Sequence, residues 1–579
     1  MEYCKNKIRK CFLTFPISNG IKNNLAAGSL LALMFALAFF SSWNETATFD
    51  EVAHIPAGYS YLTQNDMRLN AEHPPLMKDI SALPLLFLNL NFPTNIPTWS
   101  EKISDRQWDM GKIFLYRAGN DADKIIRFAR LPMILLAVLF GAVLFYWVRK
   151  NYGGKTGLLT LFLFTMSPTI LAHSRYVTTD VAAAFGFFVA ITSFLAFLKN
   201  QSWRNIFIAG ALLGVALLFK FSTVILALIF LVLAALWWVL NRGKIFPLFG
   251  KIIIIGLIAL TLVYIVYIFH VWNYPSDLQI KDMSDTLSSD LGRKTIPAFI
   301  WMIETGFLKP LAEYLFGVIS VVQRAGGGNA AHFMGTVYSE TTPWYFPTLY
   351  LFKESLVFHV LTIIAIFLAI KNISRPREWM KNNFAVVASL FFIAFYAFQS
   401  ITGNLNIGHR HIMPILPFAY FLVALAISKF NKSIFTGVLL VIMFTSTLVT
   451  YPYYLSYYNI LVGGTANGYK IATDSNYDWG QDMKRLRNWM DKNGVQKIDL
   501  HYFGGGDGKY YFGDRYEDWW SSKGQPPAGS WFAISANARE GSMATPVRGF
   551  TIKPEDTYSW LKGKEPVARA GSSIFIYKF

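Results

Sequence analysis

Long apolar runs constrain the fold of this chain more than any other feature. Several of them exceed the ~18 residues that indicate a membrane-spanning helix. The run 206–240 holds one charged residue, Lys220, and is too long for a single span, so it predicts a helical hairpin with Lys220 at its apex. The composition agrees, since 54% of the residues are hydrophobic and 15% are charged. The sequence therefore predicts a polytopic α-helical membrane protein.

The apolar pattern predicts about 11 transmembrane helices. Polar and charged residues flank each run and set its approximate boundaries. The predicted spans are 25–43, 128–148, 156–172, 180–198, 205–219, 221–240, 252–272, 349–370, 384–401, 409–428 and 433–451.

The distribution of basic residues predicts the orientation of these helices. The segments on the N-terminal side of the membrane are rich in Lys and Arg and contain only Glu2 and Glu378 as acids. Because basic residues accumulate on the cytoplasmic side, we expect the N-terminus in the cytoplasm and the long loops outside. An odd number of spans also places the C-terminal part outside. The basic segments are 1–24, 149–155, 199–204, 241–251, 371–381 and 429–432.

The chain divides into three predicted units. A cytoplasmic N-terminal tail covers 1–24, and a membrane domain covers 25–452 with external loops at 44–127 and 273–346. Residues 453–579 are more polar and combine strand-like runs with an amphipathic helix, which predicts an extracytoplasmic α/β domain. The predicted helix is Trp479–Lys492, and the strand-like runs are Lys497–Phe503, Ser530–Ala536 and Ser573–Phe579.

The charge distribution argues against a nucleic-acid-binding protein, and the positions of the cysteines argue against a disulfide-stabilised external domain. A net charge of +18 would suit nucleic acid, but the basic excess lies in the cytoplasmic segments, so the expected partner is membrane lipid and not nucleic acid. The cysteines, Cys4 and Cys11, both lie in the tail, so no disulfide supports the external regions. The first span lacks a small-residue cleavage site and is predicted to be an uncleaved anchor.

Two adjacent acids, Asp50 and Glu51, follow the first span directly. Carboxylates at a membrane boundary are costly to desolvate and indicate a function. A His-Pro-Pro turn that begins at His73, followed by Lys78, predicts a folded loop that brings a cation near the acids. Such a site can deprotonate a hydroxyl and stabilise a departing phosphate. The alternative is an acid pair that caps the next helix.

Charged groups on other loops are expected on the same outer side. His173, Arg175 and Asp180 lie in the short turn before the fourth span, and Lys220 lies at the hairpin apex. Alternatively, Asp180 caps the fourth helix and Lys220 extends its ammonium group to the membrane surface.

A further group enters the tenth span. His409, Arg410 and His411 stand at its external end, and Arg130 stands at the start of the second span. Two histidines and an arginine in an apolar helix indicate a function and not stability alone. With the acids, these cations predict a site for an anionic head group whose tail lies in the bilayer.

These motifs resemble the GT-C class of membrane glycosyltransferases, in particular the dolichyl-phosphate-mannose protein mannosyltransferases (glycosyltransferase family 39), with kinship to the lipid A aminoarabinose transferases. The resemblance covers roughly residues 25–450. Asn406–Pro417 and Asp474–Asp482 resemble a subgroup of prokaryotic relatives, which implies the plasma (inner) membrane of a prokaryote. The motifs are Phe49-Asp50-Glu51, His73-Pro74-Pro75-Leu76-Met77-Lys78, Arg127-Phe128-Ala129-Arg130-Leu131-Pro132, Thr178-Thr179-Asp180, Lys220, and Trp344-Tyr345-Phe346-Pro347 with Lys353.

The resemblance implies an inverting transfer of a sugar from a polyprenyl-phosphate donor to a hydroxyl of a protein, lipid or glycan acceptor. By analogy, Asp50 is the base, Glu51 orients the acceptor or tunes Asp50, and Asp180 helps to position the acceptor. The candidates for binding the donor phosphate are Lys78, Arg175, Lys220 and Arg410, and the supporting residues are His73, Arg130, His173, His409 and His411.

One segment of the C-terminal part resembles half of a calcium-binding loop. Asp474, Asn476, Asp478 and Gly480 match the first half of a calcium loop, but Leu486 replaces the expected bidentate Glu. The alternative is a turn that caps the following helix. Because the mannosyltransferase relatives need no metal, we expect neither a metal nor a cofactor besides the lipid-linked donor.

Two other function classes compete with the transferase. A transporter or flippase of lipid-linked sugars would carry charges at the membrane midplane within repeated halves, whereas the sequence has no such repeat. A receptor that binds through its external domain leaves Asp50 and Asp180 unexplained.

Overall fold

The protein is largely helical and carries several helices able to cross a membrane. The structure is a computed structural model that describes residues 19–101, 106–242, 245–370, 375–430 and 433–579. Cys4, Cys11 and most of the predicted tail therefore lie outside the described residues. Within the described ranges, 7 helices are long and apolar enough to span, and a multi-pass membrane protein is confirmed. They are Gly20–Ser42, Ala122–Tyr152, Asp180–Lys199, Phe221–Asn241, Phe246–His270, Phe384–Thr402 and His409–Ile427.

The other predicted spans are shorter or broken. Trp203–Phe219 and Ile434–Thr450 are apolar but short, and Tyr345–Lys353 meets Leu356–Ile370 at a bend of 106°. The predicted span 156–172 forms two helices, Gly154–Thr165 and Pro168–His173. Ser167 starts the second by accepting a hydrogen bond from the amide of Ile170. Length and composition alone therefore support seven or eight spans in the described residues, not the predicted number.

The first long loop is built of helices along the membrane domain. A capping box at Thr48 begins the first of them. Leu83, Leu86 and Phe87 are exposed, an arrangement typical of helices that lie along a membrane surface. The elements of this loop are Phe49–Gln64, Leu76–Ala82, Leu83–Phe87, Pro97–Ser100, Arg106–Lys112 and Ile113–Arg117.

The second long loop is also mainly helical. It ends in a short hairpin of strands β1, Ala331–Phe333, and β2, Thr336–Tyr338. Its helices are Ser276–Thr286, Asp290–Glu304 and Lys309–Gly327.

The C-terminal part contains the predicted α/β structure. The five strands are ordered β4-β3-β5-β7-β6, with β3 parallel to β4 and β5, and β7 antiparallel to β5 and β6. The three predicted strand runs correspond to β3, β5 and β7, whereas β4 and β6 are too short for the sequence pattern to reveal. The strands are β3 Ile498–His501, β4 Tyr516–Asp518, β5 Trp531–Ser535, β6 Ala568–Ala570 and β7 Ile574–Lys578.

The predicted helix beside this sheet begins later than expected. Met483–Lys492 replaces the predicted Trp479–Lys492, because Gly480 adopts φ +92° and interrupts the helical backbone. Shorter helices are Gly508–Phe512 and Ala536–Met543.

The carboxyl end of β3 packs on the segment that carries the predicted acids. The Gly505 Cα lies so close that a Cβ there would stand 2.2 Å from the Thr48 carbonyl oxygen. Tyr116 donates a hydrogen bond to the Gly505 carbonyl over 2.8 Å, and Phe503 stacks on Phe49 at 5.4 Å between ring centroids. The C-terminal sheet is therefore fixed against the start of the first long loop.

Candidate active site

The adjacent acids Asp50 and Glu51 point into different surroundings. Glu51 is fully buried, and its Oε2 accepts hydrogen bonds from the amide of Thr48 over 2.8 Å and from Arg130 Nη2 over 2.6 Å. Its Oε1 accepts from Arg130 Nε over 2.8 Å and from the amide of Val177 over 3.1 Å. Both oxygens of Glu51 are thus committed to the fold, and the capping alternative applies to Glu51.

Asp50 belongs instead to a line of alternating charges. Its Oδ2 accepts a hydrogen bond from Arg410 Nη1 over 2.7 Å, and the same nitrogen lies 3.4 Å from Asp180 Oδ2. Lys220 Nζ donates to the other oxygen of Asp180 over 2.6 Å. We call Asp50, Arg410, Asp180 and Lys220 the charged cluster. Its members come from four separate parts of the chain.

Breaks in the helices position the cluster. Asp180 is the first residue of the helix Asp180–Lys199, and no side-chain cap bond forms at Thr179. Lys220 has an extended backbone, φ −159° and ψ 138°, where Trp203–Phe219 ends. The predicted hairpin apex is therefore present, and Lys220 forms an ion pair with Asp180 instead of extending alone to the membrane surface.

Arg410 is held by the segment Asp474–Asp482 of the C-terminal part. Its guanidinium carbon lies 4.2 Å from the centre of the Trp479 ring, a favourable cation–π geometry. Asn476 Oδ1 accepts the amide of His409 over 2.8 Å, and Ser475 donates to the Ile407 carbonyl over 2.7 Å. The two motifs that resemble the same prokaryotic subgroup thus pack directly on each other.

Asp474 is a further acid beside the cluster. It has φ +56°, a left-handed conformation that non-glycine residues adopt rarely. Burial raises the pKa of Asp474 to about 6, while Arg410 opposes that rise and Asp50 adds to it. The sequence pattern placed Asp474 in a turn or ion loop and did not connect it with Asp50.

The side chains of the suggested calcium loop are bound to protein groups. Asp478 Oδ2 accepts the amide of Asn537 over 2.8 Å, and Oδ1 accepts the amide of Gly480 over 3.3 Å. Asn476 also donates to the Tyr345 hydroxyl over 3.0 Å. Over the described ranges, no group of three His, Cys, Asp or Glu side chains is arranged to hold a metal ion.

Two predicted phosphate ligands, Lys78 and Arg175, lie outside the charged cluster. Lys78 Nζ is buried within 3.0 Å of four oxygens, those of Tyr61 Oη, Asn70 O, Asn70 Oδ1 and His73 O. These acceptors exceed the three hydrogens of an ammonium group. In this structure Lys78 is bound within the loop, and its role at the donor phosphate stays a prediction.

Arg175 is likewise committed to protein groups. Its Nη2 pairs with Glu45 Oε1 over 3.0 Å, and its Nη1 donates to the Pro452 carbonyl over 3.3 Å. The side chain has no exposed surface and forms a buried ion pair, and its contact with the donor phosphate stays a prediction.

Three of the predicted histidines border the charged cluster. His73 packs edge-on against His54 at 5.4 Å, and burial, then His54 and Lys220, hold the pKa of His73 well below its ordinary value. His173 lies 6.0 Å from the Trp479 ring. His411 follows Arg410 directly in the chain. In the described chain the Nδ1 atoms of His73 and His173 and the Nε of Arg410 are buried without a hydrogen-bond partner.

His409 has a different environment. Its Nε2 contacts Glu354 Oε1 over 2.9 Å, and Glu354 also accepts from Thr169 over 2.8 Å and from Tyr420 over 3.2 Å. Glu354 was missed from the sequence, although a lone acid at the edge of an apolar run is the same signal that singled out Lys220.

The comparisons with known proteins find one family. Residues 122–269 match the family model described as dolichyl-phosphate-mannose-protein mannosyltransferase. The resemblance drawn from the motifs, to GT-C glycosyltransferases of this type, is confirmed by this match. The matched range includes Arg130, Asp180 and Lys220 but neither Asp50 nor Arg410. No curated protein sequence matches the chain.

Solved structures give distant similarities. The Archaeoglobus fulgidus oligosaccharyltransferase tethered to an acceptor peptide has a TM-score of 0.43 and 12% identity, over 85% of this chain and 63% of that one. The chain thus spans less than two thirds of that protein. ArnT from Cupriavidus metallidurans bound to undecaprenyl phosphate has a TM-score of 0.31 and 12% identity, over 94% of this chain and 97% of that one.

Proposed function

We propose that this chain is an inverting glycosyltransferase that moves a sugar from a polyprenyl-phosphate donor to a hydroxyl of a protein, lipid or glycan acceptor. The observation that carries the proposal is the charged cluster, in which Asp50 and Asp180 alternate with Arg410 and Lys220 at contact distance. The mannosyltransferase match over residues 122–269 supports the same class of donor.

Asp50 is the proposed general base. It is the more open of the two adjacent acids, with 22% of its side chain exposed, whereas Glu51 is sealed. In the transfer, Asp50 accepts the proton of the acceptor hydroxyl while that oxygen attacks the anomeric carbon. The bond from this carbon to the phosphate oxygen breaks, and its electron pair leaves with the polyprenyl phosphate.

Lys220 and Arg410 are the proposed cations for the departing phosphate. Cations already placed where negative charge develops lower the barrier without reorganising during the reaction. Lys220 and Arg410 retain 13% and 10% side-chain exposure, so each presents some surface to a ligand. Asp180 is a positioning residue in this scheme, because it contacts both cations.

Glu51 and Arg130 form the proposed support for the base. Their paired hydrogen bonds fix the first turn of the helix Phe49–Gln64 and so fix the direction of Asp50. No metal is assigned a role in the scheme.

We further propose that the cluster faces the exoplasmic side of the plasma membrane of a prokaryote. The argument is the distribution of basic residues along the sequence, which predicts that Asp50 and Asp180 lie on the side of the membrane opposite the basic segments.

Transfer by purified protein in detergent tests the proposal. With dolichyl- or undecaprenyl-phosphate sugars and soluble hydroxyl acceptors, a transferase forms a new glycosidic bond and releases polyprenyl phosphate. A flippase, the competing function, forms no product under these conditions, since no second compartment exists. Transfer that persists unchanged when Asp50 and Lys220 are both replaced would contradict the assigned site.

A further inference from the structure

A cavity lies in the C-terminal sheet, lined by none of the residues of the charged cluster. It has a volume of about 370 Å³ and opens near the amino ends of β3 and β5. The opposite, carboxyl end of β3 leads into the loop of Gly505 that packs on Thr48. This volume is within the range of small-ligand sites. The cavity is therefore a separate candidate site at the far edge of the sheet.

Asp499 is an unpaired carboxylate in the wall of this cavity. It is 8% exposed, and across the described residues its side chain has no hydrogen bond or ion pair. Strand register places it directly beside Glu517 of β4. Neighbouring like charges destabilise a sheet, and no protein donor among the described residues bonds the Asp499 carboxylate to compensate. Burial, with a further contribution from Glu517, raises the pKa of Asp499. A ligand that donates hydrogen bonds would offset this cost.

The charges around Asp499 favour an uncharged ligand. Glu517 pairs with Lys497 over 3.1 Å and with Lys523 over 3.4 Å. These two lysines and two acids sum to no net charge beside Asp499. Lys578 adds one ammonium group at the other wall, 5.1 Å from the centre of the Trp531 ring. Hydroxyl groups are the uncharged donors that suit a carboxylate acceptor.

Tryptophan rings form further walls of the cavity. Trp519 is fixed by a hydrogen bond from its Nε1 to the Gly524 carbonyl over 3.1 Å. Trp531 is fixed by an edge contact with Trp489 at 5.3 Å between ring centroids. Rigid aromatic walls offer apolar contact to the C–H groups of a sugar ring, while the carboxylate accepts its hydroxyls.

We propose that this cavity binds a saccharide, whose hydroxyls donate to Asp499 and whose C–H groups pack on Trp519 and Trp531. Binding here involves no bond breaking and does not depend on the charged cluster. The site would retain a glycan on the C-terminal part whether or not the chain transfers sugars.

Binding by the full-length protein in a sugar-free detergent tests the proposal. The probes are methyl α-D-mannopyranoside, mannobiose, N,N′-diacetylchitobiose and maltose, and N-acetyl-arginine amide is the cationic comparator. Calorimetry and saturation-transfer NMR measure affinity. We expect at least one saccharide to bind, and about tenfold weaker binding in Asp499→Asn and in Trp519→Ala, since each loses one anchoring contact.

Asp514→Asn is the matched control, because this acid of the same part is highly exposed and pairs with Lys509 instead of lining the cavity. It should bind as the unchanged protein does. The proposal is overturned if none of the saccharides binds, if the affinity is equal in Asp499→Asn, or if N-acetyl-arginine amide binds in preference to every saccharide. If the unchanged protein binds a saccharide here but transfers no sugar in the detergent assay, the proposed function is refuted and this binding site is not.

Discussion

Arg410 Nη1 lies 2.7 Å from Asp50 Oδ2, although the two residues are 360 positions apart in the chain. The contact brings the first turn of the helix that follows the first span to the start of the helix Leu416–Ile427. It aims the Asp50 carboxylate at the same guanidinium that contacts Asp180. The proposed base and the proposed phosphate cations are thus fixed relative to each other by one side chain.

Asp50→Asn is expected to abolish most transfer without unfolding the protein. The amide keeps the shape of the side chain but loses its basicity, and a positioned base typically contributes ~10²–10⁴-fold to the rate. Single-turnover transfer in detergent should fall by about this factor, with thermal unfolding and donor binding nearly unchanged. A variant with wild-type turnover would show that Asp50 is not the base.

Glu51→Gln is expected to act on stability instead. The change leaves the guanidinium of Arg130 buried without its countercharge, and breaking a buried ion pair typically costs about 3–5 kcal/mol. Thermal unfolding in detergent should therefore shift to clearly lower temperature, unlike that of Asp50→Asn. An unchanged unfolding temperature with lost transfer would return Glu51 to the acceptor-orienting role that the family resemblance implied.

Lys220→Ala is expected to weaken use of the donor. Loss of one charge-assisted hydrogen bond costs about 1.5–3 kcal/mol, or roughly ten- to a hundredfold in affinity. The apparent KM for the polyprenyl-phosphate sugar should rise by that factor, with a smaller effect on the acceptor. Lys78→Ala is the comparison, because its ammonium bonds only to protein oxygens. That variant should lose stability, and equal donor KM values for Lys220→Ala and the wild type would exclude a phosphate contact.

Glu313 is expected to make folding stability depend on pH. It is buried beside Gln279, and burial raises its pKa to about 7. A folded pKa above the unfolded value means that the folded state binds more protons between about pH 4.5 and 7. This contribution is fully present at acidic pH and is lost as the pH rises through 7. Glu313→Gln, which can still accept from Gln279, should stabilise the protein by up to about 3 kcal/mol at pH 8 and by little at pH 5. Parallel unfolding curves at both values would contradict the assignment.

Gly505→Ala is expected to impair transfer from a distance. A Cβ there would stand 2.2 Å from the Thr48 carbonyl oxygen and 2.7 Å from Val52, so the turn that carries Asp50 must shift. A displacement of about 1 Å at a catalytic group can cost ~10²-fold in rate. Gly541→Ala is the control, because nothing lies within 4 Å of the added atom. Equal transfer rates in these two variants would show that docking of the C-terminal sheet does not set the position of Asp50.

The sequence identified the charged residues of the site but not the protein groups that each of them contacts. Asp50, Asp180, Lys220 and Arg410 were identifiable because each interrupts or borders an apolar run, and a charge there is costly. The same signal could not tell a functional charge from a buried ion pair, and so Lys78 and Arg175 were grouped with Lys220. Only the packed structure supplies the oxygens that surround Lys78 and the carboxylate of Glu45 that pairs with Arg175.

The sequence likewise predicted the membrane helices of the fold but not their breaks or their contacts with distant segments. Apolar runs predicted the membrane helices and the hairpin at Lys220, because burial in lipid requires little beyond length and hydropathy. Hydropathy did not reveal the break at Ser167 or the bend after Lys353, since both depend on local capping and on packing against neighbouring helices. Contacts between distant segments, such as Trp479 on Arg410, have no periodic signature.

The backbone bonds between the first long loop and the C-terminal part impose an order on biogenesis. The amide of Phe49 donates to the Trp479 carbonyl over 3.0 Å, and Thr46 donates to the Gly480 carbonyl, 434 positions further along the chain, over 2.6 Å. A ribosome that has made the Asp50 segment must still make most of the protein before these partners exist. The acid is therefore locked into place near the end of synthesis, and a nascent or prematurely terminated chain would reach the membrane with an incomplete site.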